Sequence, residues 1–552
     1  MLWFLRDYPL AAVLLRAATL VFDALLMGGL VFCAALLPRS QASSVAIERF
    51  TPRALRLLRI AAVCLSAAQV LFVALDSAML MSTGGLHLSD LYTANYFLAG
   101  LLLAGSAWVF LFCIRTGLPR SPAWLLFLIP FLFAILWTSH AASRLEDAAP
   151  LMVLTGLHQL AAAVWIGGMP YLWLLLTAQE NVVGGGSGSV EMAAADEIVV
   201  RTVRRYSTTA LVSVSILVGA GLTLAKIYTE SWSAVYGTAY GVVLLAKSTM
   251  LVGLLLLGAS NFLLIRKGKL QLPPKLLRIA RFSEAEIGIG FTILLVAASL
   301  TSQPPGVDLV QGRLTLPEIA ARMTPRWPTF HTPPERALPA VDPMGKAIRQ
   351  YALSPDDARA ANNKIEQAWS DYNHHWAGIV VLLAGILAML GRWDRAKWAR
   401  HWPLAFLGLA VFLFLRADPE AWPLGPRGFW ASFYNPEDLE HRLFILLIVS
   451  FVAFEWSVQT RRIRSQRAAL VFPAVCALGG AFLMTHNHTL GNVKEELLTE
   501  ISHTGIAICG VFAGWSRWVE LRGSGRGKRI AAWIWPVCLI WIGMILLNYR
   551  EG

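Results

Sequence analysis

All-α and polytopic, with about fourteen membrane-spanning helices, is the fold class this sequence predicts. Three observations predict it. Of 552 residues, 56% are hydrophobic and 15% charged, against roughly 25% charged in a soluble globular domain. Apolar runs of about twenty residues, the length that crosses a bilayer, recur along the whole chain. Basic residues gather in alternate loops between those runs, as in loops that face anionic lipid. The formal charge of +13 therefore belongs to membrane orientation and forms no continuous patch for nucleic acid.

The first eight runs lie near 10–37, 54–80, 92–115, 122–140, 150–178, 205–228, 238–265 and 278–301. The first contains Arg16 and Asp23 and lacks a small-residue cleavage site, so it reads as a retained helix and not a signal peptide. Six more runs lie near 374–390, 402–416, 438–459, 468–486, 497–518 and 530–549. Residues 302–372 separate the two sets; nine prolines from Pro304 to Pro343 mark this stretch as largely extended, with a short helix near 355–370. The expected domains are thus an eight-helix unit at 1–301, a linker at 302–372 and a six-helix unit at 373–552. A Gly/Ser stretch at 184–189 is a flexible connection inside the first.

Charge sets the direction. Arg49/Arg53/Arg56/Arg59, Arg115/Arg120, Arg201/Arg204/Arg205, Arg266/Lys267/Lys269/Lys275, Arg392/Arg395/Lys397/Arg400, Arg461/Arg462/Arg464/Arg467 and Arg522/Arg526/Lys528/Arg529 occupy every second loop. Those loops are expected in the cytoplasm, with both termini and the proline-rich linker on the periplasmic side of a bacterial inner membrane. The six cysteines all sit in apolar runs with no CxxC pair, and read as packing residues.

On this topology ten of the eleven histidines fall on the outer side or enter the bilayer from it, and only His401 is cytoplasmic. The densest group is His486 and His488, with Glu500 and His503 opening the next helix and His441 entering at the same depth. Neutral imidazoles so grouped suit copper, zinc, iron or nickel. Glu500, three residues before His503, is a further ligand or an orienting group. His374 and His375 form a second pair. The competing reading is that these rings cap helices at a wet interface. Softer candidates are Met79 and Met81 with His87, then His140, then Met152 above His158; thioether with imidazole favours Cu(I). His158 lies roughly 12 Å into its helix. Asp23, Asp76 and Lys247 are intramembrane charges and functional candidates by default, with Lys247 expected to pair with Asp23 or Asp76.

The segment His158-Gln159-Leu160-Ala161-Ala162-Ala163-Val164-Trp165-Ile166-Gly167-Gly168 resembles the fifth-helix signature of the CopD (PcoD-like) copper resistance proteins. Residues 201–300 resemble that family's core, with Arg204-Arg205-Tyr206-Ser207, Gly219/Gly221, Tyr240 through Lys247, Asn261 and Glu284/Glu286 as its marks. The C-terminal half resembles the membrane extension of the family's long forms. The resemblance implies an inner-membrane copper-transport and copper-resistance protein, often working with a separate periplasmic carrier of the CopC type. The cargo would be Cu(I) or Cu(II), and import is expected over export. A transporter is expected over an enzyme, with a redox activity as the alternative; no ATP-binding motif is present, so the driving force would be the ion gradient or the membrane potential. A membrane haem protein with outer-face histidine ligands, and a copper sensor or scaffold that moves nothing, are the alternatives.

Overall fold

A computed structural model describes residues 2–38, 44–144, 147–183, 197–266, 273–333, 355–418, 421–426, 428–430, 436–484 and 493–551. Among them every regular element is helical. Twelve helices are long and apolar enough to cross a membrane, and two further apolar helices, Pro122–Trp137 and Ala468–Leu483, are shorter. These fourteen segments coincide with the fourteen apolar runs, so the chain is an all-α, multi-pass membrane protein.

The chain divides into two compact units, one running to Gln311 and the other beginning at Gly312. In the first unit the helices are α1 (Leu2–Val31), α2 (Val45–Gly84), α3 (Leu88–Leu91), α4 (Asn95–Cys113), α5 (Leu128–Trp137), α6 (Ala148–Ala162), α7 (Met169–Val183), α8 (Glu197–Thr229), α9 (Trp232–Gly237), α10 (Ala239–Arg266) and α11 (Pro273–Thr301). Helices α1, α6–α7 and α11 are its buried centre, while α4, α8 and α10 present much of their surface outward. That division follows composition: α1 brings Gly28 and Gly29, and the junction of α6 and α7 brings Gly167 and Gly168, to the centre, whereas Leu211, Val212 and Leu256 are apolar side chains left exposed on α8 and α10, as lipid contact requires.

The run at 150–178 is not one regular helix. A π-helical turn, Ala163–Gly167, joins α6 to α7. Such a turn shifts the backbone hydrogen-bond register, and the Tyr206 hydroxyl on α8 donates to the Trp165 carbonyl within it. Close packing fixes the turn in place. A Cβ on Gly167 would fall 1.8 Å from the Ala24 carbonyl oxygen of α1, and one on Gly28 would fall 2.4 Å from that of Ala163. Only glycine lets these backbones touch.

The second unit holds α12 (Leu316–Met323), α13 (Pro355–Leu390), a 3-10 segment Asp394–Leu404 leading into α14 (Ala405–Arg416), α15 (Pro436–Gln459), α16 (Val471–Leu483), α17 (Val493–Arg522) and α18 (Gly525–Leu547). Two details differ from the sequence reading. The helix expected near 355–370 is continuous with the ninth run as a single helix of 36 residues, because nothing between Ala368 and Gly378 breaks it. The proline-rich stretch also contains α12, which begins with Pro317 in its first turn and a Thr315–Glu318 capping box; proline early in a helix is helix-compatible. Lys494 pairs with Glu318 at 2.8 Å and Arg322 donates to the Arg550 carbonyl, so α12 is tied to the start of α17 and to the C-terminal end.

Candidate functional site: a polar-lined cavity in the first unit

Within the first unit lies a cavity of about 470 Å³, lined among others by Arg16, Thr19, Asp23, Met27, Gln69, Tyr96, His140, His158, Gln159, Gly221, Tyr228, Tyr240 and Lys247. Its walls come from α1, α2, α4, α5, α6, α8, α10 and α11. Most of the lining is apolar, so its few polar groups stand out.

His158 is the best defined. Its Nδ1 lies 3.0 Å from the Leu217 carbonyl oxygen of α8. A carbonyl only accepts, so Nδ1 carries the proton and Nε2 keeps its lone pair, the tautomer that ligates a metal. Gly221, one turn further along α8, makes this possible: a Cβ there would lie 3.0 Å from His158 Cε1 and 3.2 Å from Nδ1. The ring therefore rests against a glycine and is aimed by the carbonyl beside it.

Among the described residues, three further polar atoms of the lining are buried with no hydrogen-bond partner: Asp23 Oδ1, His140 Nε2 and Gln159 Oε1. A buried orphan acceptor costs roughly 1–3 kcal/mol, and three around one cavity call for a cation or water to satisfy them. Lys247 forms no ion pair with Asp23 or Asp76 among the described residues. Asp76 instead accepts from the Tyr8 hydroxyl at 2.8 Å and does not line the cavity. The expected Lys247–carboxylate pair is corrected on this point: Lys247 and Asp23 share a cavity without an ion pair between them. Arg16 donates to the Thr301 carbonyl at 3.1 Å and not to Asp23.

The soft-donor set is dispersed. His140 lines the cavity, but Met79, Met81, His87 and Met152 do not; Met81 is 43% exposed, and the His87 backbone amide donates to Asp90. Gln69, which donates to Thr19 at 2.9 Å, is not among the sequence candidates, and Tyr206 stands there only as a mark of the resemblance. The signal for Gln69 was present, since a carboxamide amid an apolar run needs a partner.

His486 and His488 lie outside the described residues. Their proposed companions stand apart from one another in role. His441 Nδ1 pairs with Asp418 at 2.7 Å. His503 Nδ1 donates to the Thr499 carbonyl at 3.1 Å, and Glu500 lies one turn before it on α17. The His374 ring stacks on Tyr549 at 3.8 Å and meets His503 edge-on at 6.1 Å. His375 is corrected: its Nδ1 accepts from the Thr329 amide at 3.1 Å and its Nε2 donates to the Tyr549 carbonyl at 3.0 Å. With both nitrogens used to hold the chain, it has no lone pair for a metal. Among the described residues, no three His, Cys, Asp or Glu side chains converge as a metal cluster.

Fold and site together define a class: a multi-pass helical membrane protein whose first unit encloses a cavity with unsatisfied polar groups. Residues 200–300 match the family described as CopD, copper resistance protein D. This chain thus carries a CopD-family segment, as the resemblance implied, and the segment supplies Leu217, Gly221, Tyr228, Tyr240 and Lys247 to the cavity wall. A curated relative, the copper transport protein CutJ of Bacillus subtilis (strain 168), is 35% identical over 181 residues, 33% of this chain and 30% of the relative. The match thus spans about a third of the relative's length. No solved structure matches the chain.

Proposed function

We propose that this chain is a copper transporter of the bacterial inner membrane, with a copper ion as cargo passing through the cavity of the first unit. The observation that carries the reading is the tautomer of His158: its Nε2 lone pair belongs to a residue of the cavity wall, and the backbone of the CopD segment sets it. Asp23, His140 and Gln159 supply oxygen and nitrogen donors around the same space. Dispersed donors suit passage, because an ion must bind well enough to enter and weakly enough to leave. A tight preformed cluster would instead retain it.

On this reading both termini and the histidine-rich loops face the periplasm, where His486, His488, His503 and His441 capture copper, with or without a CopC-like carrier. Import then follows from capture outside and conduction inward. Lys247 adds a fixed positive charge that opposes a passing cation, and the Asp23 carboxylate on the same cavity wall lowers that barrier. The test is copper accumulation by proteoliposomes holding the purified chain: accumulation above protein-free vesicles supports transport. Binding without accumulation supports the scaffold alternative, and a reduced-minus-oxidised haem spectrum supports the redox one.

A further inference from the structure

Beyond the cavity of the first unit lies a second buried polar pair. Glu286 stands near the middle of the span Pro274–Thr301 of α11, two turns before Ile293 of the cavity wall and on the same helical face. It is 5% exposed, and the Asn261 Nδ2 of α10, a residue 7% exposed, donates to its Oε1 at 2.6 Å. The π-turn separates this pair from the cavity. A Cβ on Gly290, one turn after Glu286, would fall 2.7 Å from Ile166 Cγ2, and one on Gly258, one turn before Asn261, would fall 3.9 Å from Trp165 Cζ2. We propose that Glu286, held by Asn261, is an inner station of the route that a proton and a copper ion occupy in turn, so that copper moving inward exchanges for a proton moving outward.

A neighbour on the same helix sets the contrast. Glu284 accepts from Arg281 at 2.9 Å and from the Trp173 indole at 3.3 Å, so its charge is balanced where it stands. Glu286 has no ion pair among the described residues, and its hydrogen bond comes from a neutral amide. The charged and titratable side chains of the elements packed around it are engaged elsewhere. Lys247 of α10 and Asp23 of α1 line the cavity. Arg278 of α11 lies over the Phe282 ring, and Arg205 of α8 donates to the Leu36 carbonyl. The Tyr206 hydroxyl donates to Trp165, and Tyr171 and Cys33, both buried, carry groups that are neutral at pH 7. An isolated carboxylate charge inside a bilayer costs too much to stand alone, so a carboxyl placed here shares its site with a cation. A proton fills it at rest. An arriving copper ion supplies the same positive charge: the O–H bond of Glu286 breaks as the ion comes in and re-forms as it leaves, with no change of oxidation state. For Cu(I) the exchange is one for one and electroneutral. A carboxylate is a weak ligand for that soft ion, which suits a station the ion has to leave. The buried pair stands on its own geometry; the copper half of the exchange rests on the proposed function.

Infrared difference spectra of the full chain in detergent, recorded on adding Cu(I) at neutral pH, read the site without transport. The wild type is expected to lose a protonated-carboxyl band when copper binds, and Glu286→Gln to lack that band. Asn261→Leu should shift it to higher frequency, because the carbonyl oxygen no longer accepts a hydrogen bond. No such band in the wild type, or an unchanged one in Glu286→Gln, overturns the proposal. Should Glu286→Gln fail to fold, the Asn261→Leu spectrum decides, and an unshifted band overturns it. Vesicles holding an entrapped pH dye then read the exchange. Copper added outside wild-type vesicles is expected to make the lumen more alkaline, and an acid lumen to raise the initial rate of copper entry several-fold; both effects should vanish in Glu286→Gln. Copper accumulation without a change of lumen pH overturns this proposal alone. A copper-sensitive Glu286 band in a chain that accumulates no copper keeps the competition of proton and copper at Glu286 and overturns the transport reading.

Discussion

Gly221→Ala separates a site role for His158 from a packing role. The added Cβ would sit 3.0 Å from His158 Cε1 and 3.2 Å from its Nδ1, closer than ordinary van der Waals contact. The ring must give way by a few tenths of an ångström, which stretches the 3.0 Å bond from Nδ1 to the Leu217 carbonyl. Losing that bond costs about 1 kcal/mol net. Against this, alanine in place of a mid-helix glycine gains roughly 0.5–1 kcal/mol. The two nearly cancel, so stability in detergent should stay within about 1 kcal/mol of wild type. Transport should not be spared, because losing a hydrogen bond that orients a metal-ligating histidine costs roughly 10-fold or more in metal affinity. The assay is copper uptake by vesicles at matched protein, with thermal unfolding in detergent measured in parallel. Wild-type uptake with wild-type stability would show that the orientation of His158 is not used. A loss of more than about 3 kcal/mol of stability would refute the balance of terms.

Further outcomes follow from the same structure. Gly167→Leu places side-chain atoms inside the Ala24 backbone of α1 and should destabilise by about 3 kcal/mol or more, read as lost monodisperse yield. Tyr206→Phe leaves the Trp165 carbonyl in the π-turn without its donor and should cost roughly 1–3 kcal/mol in detergent unfolding. Lys494 bonds the Glu318 carboxylate and holds its pKa down at about 2, against 4.5 ordinarily. A depressed carboxylate contributes its stabilisation fully above pH 4.5 and loses it as the pH falls through about 2. The difference in thermal midpoint between wild type and Glu318→Gln should accordingly be flat above pH 4.5 and shrink below it. Reporter fusions at Val190 and Glu335 should read cytoplasmic and periplasmic respectively; the same side for both would break the charge alternation.

The membrane fold was legible because lipid demands apolar length, and that demand is written in consecutive residues. His158, Asp23 and Lys247 were legible for a related reason: a polar group within an apolar run has to be put somewhere. Which groups meet was not legible. Asp76 and Asp23 look equivalent in sequence, yet Tyr8 takes one and the cavity receives the other, a choice made by helix rotation. The π-turn at Ala163–Gly167 was equally hidden, since its motif reads as ordinary helix until Tyr206 is seen against it. His375 looked like its neighbour His374, and only the backbone of Thr329 and Tyr549 shows that its ring is already spent.

The central claim is that copper crosses through the cavity beside His158, and His158→Ala tests it most directly. Copper accumulation is measured in proteoliposomes at equal protein, together with total copper bound in detergent. Accumulation is expected to fall to the level of protein-free vesicles, with copper capture at the outer-face histidines retained. Accumulation at the wild-type rate would contradict it and place the route elsewhere in the chain.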